Sequence, residues 1–156
     1  MFCAVSYLQM YVWLYSEMQS PSAWGSKLWA VLHAVGSRTG RSIPRVRADE
    51  LRELQWMVQN LESIVPCNEC RKHIQEYRRH VLPPDRNPGD YNLWFWNFHE
   101  AVNTRLGKVG GVPFPLGEQP RVLDTWREFA AIVKIPTVLL KGFERHLRLW
   151  AGFAGI

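Results

Sequence analysis

The chain has 156 residues, 47% of them hydrophobic, which is enough for one domain with its own core. Its three cysteines are too few for a disulfide-stapled secreted domain, so the fold must depend on packing. The formal charge of +5 favours anionic partners, but no recognition signature accompanies the scattered basic residues, and we expect no nucleic acid as a partner.

The chain begins with an apolar extension, residues 1–21, which we predict to be helical and to pack on the domain or on a second copy. Its uncharged start, Met1 to Tyr15, lacks the basic region of a signal peptide. It is also shorter than the roughly 20 residues that cross a bilayer. We therefore expect a cytoplasmic location and no transmembrane segment.

Helical patterns account for the remainder of the chain. Apolar residues recur every three or four positions, and prolines and glycines separate the segments. No alternating strand pattern occurs, and no glycine-rich motif or βαβ unit supports a Rossmann or thioredoxin fold. We predict an all-α helical bundle. The predicted helices span residues 23–35, capped by Ser22, and 49–65, 67–80, 91–106, 121–134 and 137–151.

The stretch Pro66-Cys67-Asn68-Glu69-Cys70 opens the third predicted helix and carries two of the three cysteines. Both cysteines lie in the first turn, where free N–H groups and the helix dipole favour thiolate over thiol. Basic Arg71 and Lys72 add to that bias. Such a dithiol suits thiol–disulfide exchange, because the thiolate is the attacking species. Four side chains share one face of this helix at about 100° per residue: Cys67, Cys70, Ile74 and Tyr77.

A structural zinc site is the alternative for the cysteine pair, because His73 and His80 follow it. On a helix, His80 would lie roughly 15 Å from the sulfurs, which is too far for ligation at around 2 Å. Ligation by His33 or His99 remains open, in a non-catalytic helical binding module with a structural metal. We assign no metal site.

Two other helices each place tryptophan and histidine on one face. Trp29 and His33 are four residues apart, and Gly25 leaves room for close approach to the backbone. Lys108, just beyond the fourth helix, could reach a phosphate. Each face alone is equally consistent with core packing, but beside the cysteine pair they favour a flat ligand. On the fourth helix the residues within one narrow sector are Trp96, His99, Asn103 and Leu106.

The chain resembles the ALR/Erv family of FAD-dependent sulfhydryl oxidases. The matches are W-G-x-x-x-W-x-x-L-H from Trp24, C-x-x-C-x-x-H from Cys67 and H-x-x-V-N-x-x-L-x-K from His99, in the family's order. They fall within residues 22–130, and the short chain is most similar to the compact versions of large DNA viruses. The resemblance implies a four-helix bundle with a short fifth helix, which would form the FAD-binding domain.

The resemblance also implies the reaction. Cys67 and Cys70 would form the catalytic redox disulfide, with Cys70 nearest the flavin and Cys67 meeting the dithiol of a protein substrate. Electrons would pass to FAD and then to O2, giving hydrogen peroxide. The protein would be a homodimer, acting in the host cytoplasm or virion if virus-encoded. From the resemblance and the helix faces together, the expected FAD-binding residues are Gly25, Trp29, His33, Cys70, His73, Tyr77, Trp96, His99, Val102, Asn103, Leu106, Lys108 and Trp126.

Some residues depart from the family pattern. Glu100 and Val109 stand where the family usually has asparagine and proline, and no cysteine follows Cys70. Many members relay electrons through a second cysteine pair, whereas here Cys3 alone is a candidate shuttle. We expect substrates to reach Cys67 directly.

Residues 131–156 extend past the family core as a basic amphipathic helical extension. Attachment to a membrane surface is one interpretation of this pattern. Packing on the bundle or on a partner subunit is the one we favour.

Overall fold

The computed structural model describes residues 19–108, 111 and 119–156. Within these ranges the fold consists of helices and turns, with no strand, which confirms the predicted all-α class. Residues 1–18, with Cys3 and most of the predicted N-terminal extension, lie outside the described residues. The α-helices are α1 (Pro21–Gly36), α2 (Arg47–Gln59), α3 (Asn68–His80), α4 (Tyr91–Arg105), α5 (Val122–Ile132) and α6 (Thr137–Ala154).

Helix α1 begins two residues earlier than predicted. Its N-cap is Ser20, whose hydroxyl accepts a hydrogen bond from the N–H of Ser22 at 3.4 Å. Pro21 takes the first helical position, where its missing N–H needs no partner. The prediction that Ser22 caps the helix was therefore wrong.

The turn that follows α1 touches the turn that precedes α4. Gly40 has a φ of +80°, in the left-handed region that glycine adopts without strain. A Cβ at this position would lie 2.7 Å from the Cα of Gly89, so the two backbones are in direct contact. The Gly40 N–H donates to a carboxylate oxygen of Glu50 at 3.0 Å, which ties this turn to α2.

Helix α2 buries two carboxylates. Glu50 is 0% exposed and accepts hydrogen bonds from Gly40 and from the Ser42 hydroxyl. Glu53 is 5% exposed, and its Oε2 lies 2.6 Å from Nδ1 of His146 on α6. Buried carboxylates are tolerated when they are hydrogen-bonded or paired, as both of these are.

One hydrophobic core joins all six helices. Helix α1 packs against α4 and α5, and α6 packs against α2. The apolar face of α6 lies in this core, since Phe143, Leu147 and Trp150 are no more than 2% exposed. The basic C-terminal stretch thus packs on the bundle, while the predicted boundary at residue 130 stays a prediction. None of the helices in the described ranges has the length and hydrophobicity of a membrane span.

Helix α3, which follows Cys67, is held largely by polar contacts. Ile74 is its one buried residue. Arg78 forms a bidentate pair with Glu62 at 2.6 and 2.8 Å, and it also donates to the Val58 carbonyl at 2.9 Å. The planar fork of arginine suits such bidentate contacts. Side-chain hydrogen bonds therefore fasten the cysteine-bearing helix to the end of α2 and to the 3-10 turn that follows it.

Candidate functional site

Cys67 and Cys70 form a disulfide across the first turn of α3, with their Cα atoms 5.2 Å apart. Cys67 is the N-cap residue in an extended conformation, and its Sγ accepts a hydrogen bond from the N–H of Cys70 at 3.3 Å. Both cysteines are half-buried against the core. When the disulfide opens, a sulfur in this place receives the free N–H groups and the positive end of the helix dipole. Both stabilise a thiolate.

A group of rings joins α1, α3 and α4. Trp29 stacks on His99, with ring centroids 4.0 Å apart and planes inclined by 6°. His33 Nε2 and His99 Nδ1 share a hydrogen bond of 2.8 Å. Phe98 meets Trp29 edge-on at 5.2 Å and stacks on Tyr77 at 4.8 Å. We call these five residues, Trp29, His33, Tyr77, Phe98 and His99, the site cluster.

Helix α3 turns its disulfide-bearing face toward the site cluster. Cys70 and Tyr77 lie on the same side of the helix at about 100° per residue, and Tyr77 contacts Phe98 of α4. Desolvation lowers the pKa of Arg105 at the end of α4, and the carboxylate of Glu69 opposes that shift. Glu69 lies between the two cysteines in the sequence, and its carboxylate is close enough to affect Arg105. The end of α4 therefore lies near the disulfide as well.

The two histidines of the site cluster are held in the neutral form at pH 7. Burial, the neighbouring His33 and the charge of Lys108 together lower the pKa of His99 to about 4. Burial also lowers the pKa of His33. Two neutral imidazoles that share one hydrogen bond still offer one donor and one acceptor to a ligand, whichever tautomers they adopt.

Unsatisfied polar atoms and open space fit a flat heterocyclic ligand at this site. Nδ1 of His33 and Nδ1 of His73 are buried and have no hydrogen-bond partner in the described part of the chain. Buried polar atoms are costly unless something satisfies them. A Cβ at Gly25 would meet just the Cβ of Pro21, at 4.0 Å, so this part of α1 is open to approach. A planar ring with a polar edge, such as a flavin, fits these residues.

Most of the predicted FAD-binding residues lie on α1, α3 and α4 or just beyond α4. Four of them, Trp29, His33, Tyr77 and His99, belong to the site cluster. Leu106 and Lys108 follow α4 and are exposed. The half-buried residues outside the cluster are Gly25, Cys70, His73, Trp96, Val102 and Asn103.

Trp126 lies apart from the site cluster. It is 1% exposed, and its Nε1 donates to Glu144 of α6 at 3.0 Å. Its ring stacks on Phe143 at 5.4 Å and also contacts Phe129. A tryptophan enclosed between α5 and α6 in this way presents no ring face to a ligand. Its assignment to the cofactor site has no support in this placement.

Phe98 belongs to the site cluster but was not among the residues predicted from the sequence to bind the cofactor. It connects Trp29 of α1 to Tyr77 of α3 through its two ring contacts. The available signal was its position four residues after Trp94, which places two large rings on one side of α4.

The described residues, 19–108, 111 and 119–156, contain no group of three or more histidine, cysteine or acidic side chains that could hold a metal ion. Within these ranges no further ligand side chain joins Cys67 and Cys70 in such a group. The zinc alternative therefore has no ligand set in this part of the chain.

These features describe a helical redox protein: an all-helical bundle with a redox-type disulfide at the start of one helix, beside a group of stacked rings and neutral histidines. The Erv1/Alr family profile matches residues 26–126, and the chain belongs to this family. The resemblance seen in the three sequence motifs is thereby confirmed.

Similar proteins include a compact viral one. The FAD-linked sulfhydryl oxidase of African swine fever virus is 32% identical over 85 residues, covering 54% of this chain and 69% of that protein. Sulfhydryl oxidase 1 of Oryza sativa is 30% identical over 81 residues, 52% of this chain and 15% of that protein. Sulfhydryl oxidase 1 of Rattus norvegicus is 28% identical over 82 residues, 51% and 11% respectively. No solved structure matches the chain.

Proposed function

We propose that this protein is an FAD-dependent thiol oxidase that forms disulfide bonds in protein substrates and delivers the electrons to O2, giving hydrogen peroxide. The observation that carries the proposal is the Cys67–Cys70 disulfide on the face of α3 that meets the site cluster, in a chain of the Erv1/Alr family. The similar protein of African swine fever virus is an FAD-linked sulfhydryl oxidase, which supports FAD as the cofactor and thiols as the substrates.

The cysteine pair carries the thiol chemistry. A substrate thiolate attacks Cys67, so that a bond forms between the two sulfurs while the Cys67–Cys70 bond breaks and Cys70 leaves as a thiolate. The second substrate thiolate then attacks this mixed disulfide and releases Cys67 as a thiolate. Two electrons have moved from the substrate to the pair. The N–H groups of the first turn of α3 stabilise the thiolates.

The residues of α1 and α4 would hold the cofactor. When bound, FAD supplies the two-electron redox chemistry that links a dithiol to O2. Trp29 offers a ring face, and the His33–His99 pair offers a donor and an acceptor to a polar ring edge. Asn103 is half-buried on the same helix as His99, and the exposed Lys108 would meet a phosphate.

Substrate access, assembly and compartment are part of the same proposal. Protein dithiols would reach Cys67 directly, since Cys67 is only half-buried and the two residues that follow it, Asn68 and Glu69, are at least partly accessible. The protein would act as a homodimer in the cytoplasm, or in the infected cell or virion if virus-encoded. Cys3 lies outside the described residues, so its role as a shuttle stays a prediction.

The test uses the whole chain purified with FAD supplied. The protein should be yellow, consume O2 with dithiothreitol, and lose that activity in Cys70→Ser and in Cys67→Ser. Cys3→Ser is the matched control, because a small dithiol needs no shuttle. A protein that stays colourless after FAD loading, or that retains full activity in Cys70→Ser, would contradict the proposal. Metal analysis of the same sample tests the alternative of a metal-binding module.

A further inference from the structure

Arg71 folds back over the bend that carries the outer cysteine. Its Nε donates to the carbonyl of Val65 at 2.7 Å, and its Nη1 donates to Oδ1 of Asn68 at 3.2 Å. These two acceptors flank Pro66 and Cys67, so one guanidinium spans the bend from both sides. The backbone N–H of Arg71 also donates to the Cys67 carbonyl at 3.0 Å.

The bend creates a backbone group that needs such a donor. Val65 is 1% exposed, has extended dihedrals and lies before the start of α3, so its carbonyl is outside the hydrogen-bond pattern of the helix. Arg71 supplies one. Partial burial lowers the pKa of the Arg71 guanidinium, and the opposite charge of Glu62 counters that shift. A partly desolvated cation is stable in this place because of the hydrogen bonds it makes.

We propose that Arg71 is a positioning residue for Cys67. By its two side-chain hydrogen bonds it holds Cys67 in the N-cap conformation when the disulfide is open, and thereby stabilises the Cys67 thiolate. The inference deepens the proposed function and rests on it, because the thiolate matters through disulfide exchange.

Cys67 is the leaving group of the second exchange step. When the second substrate thiolate attacks the mixed disulfide, the substrate S–S bond forms and the bond to Cys67 breaks, with its electron pair passing to Cys67. A thiol of lower pKa leaves faster. In the N-cap conformation the departing sulfur meets the Cys70 N–H and the helix dipole. Arg71 therefore accelerates exchange and makes the pair more oxidising.

A rigid bend has an opposing effect, because it keeps the two sulfurs close and favours the disulfide. This effect is small here, since Cys67 and Cys70 are three residues apart across one helical turn and stay near each other without Arg71. Helix-terminal donors, by contrast, lower the pKa of a thiol by about one unit or more. Stabilisation of the thiolate is therefore the larger effect, and we expect Arg71 to shift the redox equilibrium of the pair toward the dithiol.

The test measures the redox equilibrium of the Cys67–Cys70 pair in the whole chain, with FAD supplied and with Cys3→Ser as background. Each variant is equilibrated anaerobically with glutathione buffers, and free thiols are trapped by alkylation and counted by mass. Arg71→Met should shift the equilibrium about tenfold toward the disulfide, about 30 mV more negative. Arg71→Lys keeps the charge without the fork, and should shift it at least about threefold in the same direction.

Lys72→Met is the matched control. Lys72 stands on the same turn, and its side chain is 68% exposed and 3.7 Å from Glu69. Its removal should shift the equilibrium by less than about twofold, as expected of an exposed ion pair. The alkylation rate of Cys67 against pH provides a second measurement. Its midpoint should rise by about one unit in Arg71→Met, because a Cys67 thiolate that leaves the N-cap conformation loses the donors at the start of the helix.

Two outcomes would overturn the inference: equilibria for Arg71→Met and the parent that agree within about twofold, or an equal shift in Lys72→Met. If Arg71→Met does not fold, the redox equilibrium and the pH dependence of Cys67 alkylation are measured in Arg71→Lys and provide the same test. The two proposals fail separately. O2 consumption without a redox shift refutes only the role of Arg71, whereas a redox shift without O2 consumption refutes only the oxidase.

Discussion

The protein contains two tryptophan–histidine stacks of similar geometry in different surroundings. In the site cluster the rings of Trp29 and His99 lie 4.0 Å apart, inclined by 6°. Between α2 and α6 the rings of Trp56 and His146 lie 3.5 Å apart, inclined by 14°. The second stack belongs to a group that we call the core cluster, formed by Glu53, Trp56, Trp126, Phe143 and His146.

The two stacks differ in the hydrogen-bond partner of the histidine. His146 meets the buried carboxylate of Glu53 at 2.6 Å, a pair that joins α6 to α2. His99 meets a second imidazole, His33, whose other nitrogen is buried without a partner among the residues that the structure describes. A satisfied pair stabilises the fold, whereas an unsatisfied one keeps hydrogen-bonding capacity for a ligand. A ring stack alone does not identify a site; at the site cluster the added observation is a histidine pair in which one nitrogen, Nδ1 of His33, has no partner among the described residues.

Substitutions in the two clusters should lower the free energy of unfolding by different amounts, and the largest loss is expected for Trp126. Trp126→Ala removes a ring that is 1% exposed and its hydrogen bond to Glu144. Unfolding in urea should show a loss of about 3–5 kcal/mol. The folded fraction should bind FAD as before. Lost FAD binding at near-parental stability would instead place Trp126 in the cofactor site.

Glu53→Ala should cost about 1–3 kcal/mol, because it leaves the buried side of His146 without its acceptor. Glu128→Ala is the control, since Glu128 also pairs across helices, with Lys27 at 2.8 Å, but its side chain is 59% exposed. That change should cost less than about 1 kcal/mol. Thermal unfolding of both variants measures the difference. Equal losses would mean that the core cluster does not depend on its carboxylate.

The site cluster should make stability depend on pH. The pKa of His99 is about 4 in the folded chain against an ordinary 6.5, so between these values the unfolded chain binds more protons. The stability that neutral His99 contributes is present above about pH 6.5 and is lost as the pH falls toward 4. His99→Gln should flatten this slope when the melting temperature is measured against pH.

The Glu62 carboxylate does not contribute in this pH range. Burial alone would raise the pKa of Glu62, but the hydrogen bonds and charge of Arg78 lower it below its ordinary 4.5. Its contribution is therefore lost only below about pH 4.5. The window from 4.5 to 6.5 reports the histidines, and an unchanged slope there in His99→Gln would contradict the assignment.

Trp29→Phe should have the smallest effect on stability, below about 1 kcal/mol, because the residue is half-buried and keeps a ring. FAD affinity, measured by flavin fluorescence, should nevertheless fall by up to about tenfold as ring stacking is lost. Trp56→Phe is the matched control, since Trp56 is also half-buried and stacked on a histidine. It should leave FAD affinity unchanged. An equal loss of affinity in both variants would remove the distinction between the two stacks.

The helices were predictable because their signals are local. Apolar periodicity and proline breaks placed the described helices other than α2 to within a few residues, and the cysteine pair marked the start of α3. The helix predicted over 49–65 was too long: it ends at Gln59, because the separate 3-10 turn Leu61–Ile64 continues the apolar spacing. The cap of α1 was missed because Ser20 and Ser22 are both good N-caps. Pro21 between them decides the matter, since a proline fits the first helical position better than any place before the helix.

The site could be predicted less completely than the helices, because local sequence patterns do not show which helices pack together. The spacing along each helix was enough to select Trp29, His33 and His99. Their contact depends on how α1 packs against α4, and only the resemblance to a family predicted that packing. Glu53 falls on the buried face of α2, where a carboxylate needs a partner. That partner, His146, is 93 residues away, beyond the reach of any local pattern.

The contact between Gly40 and Gly89 joins the turn after α1 to the turn before α4. Gly40 follows α1 and Gly89 precedes α4, so this contact brings together the ends of the two helices that carry Trp29 and His99. Any side chain at residue 40 would clash with the backbone of Gly89, and a φ of +80° would be strained for a residue other than glycine. A side chain at residue 40 should therefore push apart the ends of α1 and α4 and lower the stability of the fold.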